Sequence, residues 1–300
     1  MTAATMPANE KAGAALQLRK ETNLWKDAWK RLLRNKLAVF GLILVLFFLF
    51  LAIFADVLAP YAYDKQYLQD ANKGPSAQYL LGNDPLGRDI LSRLIYGARV
   101  SMIIGLGSQI IVLLIGVPLG AIAGYYGGKI DLVLMRIVDV MYAFPTLLFV
   151  ILLMTMLGAG MLNIFIALGL TSWVTICRLT RAQFLTLRQK DFVMAAESIG
   201  SPANRIIWRH LFPNALTPII VAITFGIPTA IFTEAALSFI GVGISPPTPS
   251  WGQMVGESQK YLRSYWHMAT FPAIAIGLTM LSFSFLGDGL RDALDPRMKQ

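Results

Sequence analysis

The stretch that decides the fold is Asp191-Phe-Val-Met-Ala-Ala-Glu-Ser-Ile-Gly200-Ser-Pro-Ala-Asn-Arg-Ile-Ile-Trp-Arg-His-Leu-Phe-Pro213, which lies between two long apolar runs. It reads as two short helices with a glycine elbow. Phe192, Val193, Ala195, Ala196 and Ile199 give the first helix an apolar side, and Gly200 suits its C-terminal cap. Ser201 suits the N-cap of the second and Pro202 its first helical position. Ile206, Ile207, His210 and Leu211 then recur at helical spacing. Small residues at Ala195, Ala196 and Gly200 leave room for another protein's groove to close over the first helix. A membrane-embedded chain needs such a loop only if something soluble docks on it.

The rest of the chain supplies the membrane. With 56% hydrophobic and 14% charged residues among 300, the composition is too apolar for an ordinary soluble protein. Runs of about 20 apolar residues are long enough to cross a bilayer core of ~30 Å. Six are expected: Leu37–Leu58, Val100–Tyr125, Leu132–Leu157, Met161–Arg178, Ala215–Ile240 and Ala269–Leu286. An even number puts both ends on one side. Nineteen of the 26 Lys and Arg fall on the side of the termini and of the 191–213 loop, so that side is expected to be cytoplasmic. This distribution also explains the net charge of +9 without nucleic acid as a partner. Ahead of the first span, Trp25, Ala28, Trp29, Leu32 and Leu33 alternate with Lys26, Lys30, Arg31 and Arg34. That spacing predicts a basic amphipathic helix lying in the lipid interface. Residues 1–20 show no periodicity and read as a disordered tail rather than a signal peptide.

The longer outside loop, about 59–99, holds a second helix signal. Asp84 suits an N-cap and Pro85 a first position; Leu86, Ile90, Leu91, Leu94 and Ile95 share one face, Arg88, Asp89 and Arg93 the other, and Gly97 ends it. Such a helix would lie along the outer rim. The Pro-rich Ser245–Gly252 segment predicts a second, rigid outside loop. Gly116, Gly120 and Gly124 mark one helix face for close packing. Pro145 should break the third span, and Pro118, Pro218 and Pro228 should kink others.

Covalent catalysis has few candidates. His210 and His267 lack metal-ligand spacing, and the single Cys177 allows no disulfide and no cysteine metal site. Gly124-Tyr-Tyr-Gly-Gly-Lys129 lacks both the first glycine and the Ser/Thr of a phosphate loop. Energy must then come from a partner or from an ion gradient. Asp139 and Glu234 are the ionisable groups inside spans, and each should face a cavity or a partner. For Asp139 an ion pair with Arg136 or Arg178 is expected; for Glu234, packing and cavity-lining readings stand level. An ion-coupled secondary carrier would use such acids.

Met194-Ala195-Ala196-x-x-x-Gly200, closing at Leu211-Phe212-Pro213, resembles the coupling motif of ABC-importer permeases. Met194 stands where that motif has Glu, and Phe212 where it has Leu. From about Trp25 onward the chain is similar to the C-type permease subunits of dipeptide and oligopeptide importers, the DppC/OppC family. Asp84–Arg93, Tyr96-Gly-Ala-Arg99, Arg136-Ile-Val-Asp139, Leu237–Gly252 and Gly287–Pro296 carry the likeness. The resemblance implies an all-α membrane protein of six transmembrane helices with the type I (MetI-like) importer fold, both termini inside. It divides the chain into a 1–20 tail, a 21–97 segment with interfacial helix, first span and outside loop, a 98–290 permease domain with its coupling helix at about 191–212, and a 291–300 tail. It implies a B-type permease partner, two ATPase subunits that hold ATP and Mg, an extracytoplasmic binding protein, and a peptide cargo. Nickel and glutathione permeases share much of the pattern.

Overall fold

The computed structural model describes residues 24–295; the expected 1–20 tail and the end of the 291–300 tail lie outside them. Every regular element among the described residues is helical.

Helix α1, Leu24–Arg34, is the expected amphipathic helix. Ala28 and Leu32 are buried against Ala293 and Leu294, while Trp25 and Trp29 stay exposed. Asn35 ends it and caps α2, Lys36–Ile53, by accepting from the amides of Leu37 and Ala38. Helix α2 hides a narrow stripe, Ala38, Gly41, Val45, Phe48 and Ala52, and turns Ile43, Leu46, Phe47 and Phe50 outward. Exposed aliphatic and aromatic groups over a full 18-residue helix mark a lipid face.

A single turn, α3, Ala55–Leu58, leads into the long loop and then into α4, Ile90–Tyr126. The expected rim helix does not exist as a separate element. Asp84 does not cap a helix at Pro85; its carboxylate accepts from the amides of Leu86 and Arg88 in a tight turn. Asp89 is the true N-cap, accepting from the Ser92 amide at 2.7 Å. Gly97 does not end the helix either. It makes room for the Trp251 indole, which sits 2.8 Å from where a Cβ would stand and donates to the Leu94 carbonyl. The 37-residue helix is therefore about 55 Å long, span and outer extension in one.

Helices α5, Gly128–Ala143, and α6, Thr146–Leu157, meet at 87° around Pro145. Proline has no N–H to donate and blocks the preceding turn, so the third expected span is broken at Pro145 into a bent pair of helices. Helix α7, Met161–Arg188, runs ten residues beyond its expected end. Gly116 and Gly124 of α4 rest on it, at 2.8 Å from the Trp173 oxygen and 2.6 Å from Phe184 Cβ for an added Cβ; Gly120 rests on the Cys177 carbonyl between them.

The short helix α8, Asp191–Ser198, precedes α9, Ala203–Phe239. Two further elements close the molecule: the short α10, Trp251–Ser258, and α11, His267–Leu294, which packs along α2 and α9. Five described helices are long and apolar enough to cross a membrane, or six spans with the broken pair counted as one.

Candidate functional site

Helix α8 is anchored by two side chains one turn apart. Val193 and Ala196 are buried among Phe184, Ile206, Ile207 and Leu211. The expected single apolar side is in fact split. With 100° between successive residues, Val193 and Ala196 face the bundle while Phe192, Met194, Ala195 and Ile199 face outward, Ile199 at 82% exposure.

The elbow is a Schellman turn. The Ser201 amide donates to the Ala196 carbonyl at 3.1 Å and the Gly200 amide to Glu197 at 2.9 Å. Gly200 takes φ +73°, and a Cβ there would meet open space. Ser201 caps nothing. Pro202 stands at the N-cap, its carbonyl accepting from the amides of Arg205 and Ile206. Nor is there a second short helix: α9 starts at Ala203 and continues straight into the span. It passes through a widened π-type stretch, Ile206–Leu211, in which Phe212 donates to Ile207. Pro213 explains the register change, since it cannot donate and its ring crowds the carbonyl four residues back. Leu211-Phe212-Pro213 is thus inside a helix, with Leu211 fully buried. The Gly200 elbow joins α8 to α9, and the end of α7 just ahead of α8 is held to α4, where the Arg188 guanidinium donates to the Tyr125 carbonyl at 2.7 Å.

A cavity of about 570 Å³ opens between α4, α5, α6, α7 and α9. Its wall is apolar apart from Gln109, Tyr142 and a set of hydroxyls, chiefly Thr171, Thr175, Thr229 and Thr233. Thr171, Thr229 and Thr233 each donate to a carbonyl one turn back, which satisfies them without an external partner. The sequence reading passed over these residues. Their signal was the four-residue spacing, 171/175 and 229/233, which puts each pair on one helix face.

The two intramembrane acids are placed differently. Asp139 accepts from Arg178 Nη2 at 2.6 Å, so of the two partners expected it takes Arg178. The same guanidinium lies 4.4 Å from the Tyr142 ring centre. Glu234 is fully buried and absent from the cavity wall. Its Oε1 accepts from Ser238 Oγ at 2.7 Å, and that hydroxyl accepts from the Ile244 amide, tying the end of α9 to the Pro-rich loop.

The sequence pattern of the family described as "Binding-protein-dependent transport system inner membrane component" matches residues 116–300, and that of the "N-terminal TM domain of oligopeptide transport permease C" matches 23–75. The chain belongs to this permease family. The oligopeptide transport permease OppC of Bacillus subtilis (strain 168) is 43% identical over 98% of the chain and 97% of its own length. The dipeptide permease DppC of the same organism is 44% identical over 92% and 86%. The glutathione permease GsiD of Pectobacterium atrosepticum is 41% identical over 92% of both. Inward-facing crystal structures of the MetNI methionine ABC transporter share the fold: TM-score 0.58 at 17% identity, over 69% of this chain and 98% of theirs. The permease is therefore a multi-pass inner-membrane component of a binding-protein-dependent transport system.

Proposed function

We propose that this permease forms one half of the translocation path of an ATP-driven importer of di- and oligopeptides. A homologous B-type permease supplies the other half. Two ATPase subunits hold ATP and Mg, and one of them receives α8 of this chain; this chain itself holds no cofactor. An extracytoplasmic binding protein delivers cargo to the loops around α10. The end that carries α8 and both termini faces the cytoplasm.

The observation that carries this reading is the geometry of α8. Its outward face presents Phe192, Met194, Ala195 and Ile199 on a helix fixed from beneath by Val193 and Ala196. An exposed apolar surface on a rigid projecting element suits a protein groove. Because α9 runs unbroken from Ala203 into the cavity wall, a push on α8 reaches Thr229 and Thr233 through one helix. ATP binding by the partners then supplies the differential affinity that shifts an inward–outward equilibrium. Among the described residues lining the cavity there is no acid, which suits a path that grips varied side chains weakly and does not suit an ion-coupled carrier.

The test is uptake in cells lacking the gene, with labelled dipeptide, tetrapeptide, glutathione and nickel side by side. Wild-type gene should restore peptide uptake and a Gly200→Trp copy should not. The indole would project into open space, but a β-carbon at φ +73° strains the turn by about 1–2 kcal/mol, so uptake is compared at matched membrane accumulation. Restored nickel uptake alone would overturn the cargo; full peptide uptake by the Gly200→Trp copy would overturn docking at α8.

A further inference from the structure

The cavity wall includes Tyr142 on α5 and Val174 and Thr175 on α7. One turn from each, toward α8, stand Asp139 and Arg178. Two ion pairs join the helices here, and they differ in kind. Arg181 and Asp131 are bonded through both guanidinium and both carboxylate positions, with the Asp131 side chain 16% exposed. Arg178 and Asp139 share a single hydrogen bond, and their side chains are 39% and 51% exposed. Arg136, Asp131, Asp139 and Arg181 line a shallow hollow of about 350 Å³ beside them.

A singly bonded ion pair left this exposed is loosely held. Its chemistry suits exchange. Arg178 carries five donors in a planar fork that fits a carboxylate through two of them, and the Tyr142 ring under the guanidinium steadies its plane. Asp139 keeps one oxygen outside the pair. The cavity beyond offers hydroxyls and apolar surface but no charge among its described lining residues. A linear peptide carries one carboxylate and one ammonium whatever its side chains, so these are the groups that a sequence-tolerant path can recognise in every cargo.

We propose that Arg178 and Asp139 form a terminus-reading pair at the α8-ward edge of the cavity. Arg178 takes the peptide's terminal carboxylate and Asp139 its terminal ammonium, one end at a time as the chain passes, because the ends of an extended tripeptide lie about 10 Å apart while the pair is joined at 2.6 Å. This rests on the peptide reading above.

The experiment is uptake of trialanine by the assembled importer in proteoliposomes, at saturating binding protein and matched permease content. The variants are Arg178→Gln, Asp139→Asn and the two combined. A terminus-reading pair predicts about a tenfold fall in maximal uptake for Arg178→Gln, a smaller fall for Asp139→Asn, and no recovery in the double variant. A merely structural pair predicts that the neutral double variant recovers, because no unpaired charge remains. Recovery, or wild-type uptake in Arg178→Gln, would overturn the inference. Should Arg178→Gln fail to assemble, Asp139→Asn and the double variant decide alone. Wild-type importer that moves no peptide at all would instead sink the peptide reading, and the two failures are thus distinct.

Discussion

The two ends of this permease are built on opposite principles. At the α10 end, charges are buried and internally satisfied. Asp84 pairs with Arg88 at 2.5 Å, and both Arg88 and Arg93 donate to Glu257 Oε2, at 2.9 and 3.3 Å. This cluster locks the first outer loop, the start of α4 and helix α10 into one body, with the Trp251 indole driven into the notch at Gly97. At the α8 end the pattern reverses. Apolar side chains face outward, and the elbow at Gly200 touches nothing within 4 Å of a would-be Cβ. One end is a finished surface that presents a fixed shape. The other presents an exposed apolar face, and its rigidity comes from two buried anchors and a continuous helix.

If that contrast is right, disrupting the outer cluster should cost stability, whereas altering α8 should cost coupling. The largest effect is expected for Asp84→Ala. It removes the buried partner of two arginines and the acceptor of two amide N–H groups, and breaking a buried pair of this kind costs about 3–5 kcal/mol. Thermal unfolding of the purified assembly should show it; an unchanged midpoint would mean that water already screens the cluster. Next comes Gly120→Leu. Its side chain would drive α4 off the Cys177 carbonyl of α7, for roughly 3 kcal/mol of overpacking. That loss belongs to the bundle between the two ends and should reduce membrane accumulation rather than alter turnover per assembled complex.

On α8 a matched pair of substitutions separates anchor from docking face. Val193→Ala empties a fully buried site and should destabilise by roughly 1–3 kcal/mol. Ile199→Asp, at a site 82% exposed, should stay within about 0.5 kcal/mol of wild type while co-purification with the ATPase subunits falls. Equal ATPase retention in both variants would remove the distinction between the faces of α8.

How far the sequence could be read follows the same division. Lipid-facing spans were legible because an apolar run of fixed length has one physical meaning, as α2 illustrates. Pro145 was legible as a break, although Pro118, Pro218 and Pro228 lie inside helices that continue past them, and Gly200 was legible because its cap is local. Boundaries that depend on tertiary partners were not. Asp84 carries every local mark of an N-cap, yet its carboxylate is committed to Arg88 and a turn, and the helix waits for Asp89. Gly97 looks like a stop until Trp251, 154 positions further on, fills the space it leaves. Pro213 looked like the end of a loop because the π-type stretch that carries a helix through it has no signature of its own. The cavity threonines were missed for the opposite reason: their spacing is visible, but helical Thr is satisfied by its own backbone and announces no function.

The smallest expected effect lies in the outer loop and concerns acid. Asp70 accepts from Lys73 Nζ at 2.5 Å and from the buried Tyr79 hydroxyl at 2.8 Å, and these bonds hold its carboxyl below the usual range, Lys73 first. The same contact with Asp70 pushes the Tyr79 hydroxyl up to about 12. A depressed folded value means that the carboxylate's contribution is fully present above about pH 4, the ordinary aspartate range, and is lost as pH falls through the lower folded value. The tyrosine works from the other side: its raised value keeps its contribution intact below about pH 10 and removes it as pH climbs through about 12. Across the neutral range neither group changes state, so the loop should hold its shape there. Amide protection factors in residues 67–84, taken against intrinsic exchange at each pH, should fall below about pH 4. An Asp70→Asn permease should exchange faster at neutral pH and show no acid step in that segment. If the step persists in Asp70→Asn, the acid response does not come from Asp70, and the α10 end is less finished than its geometry indicates.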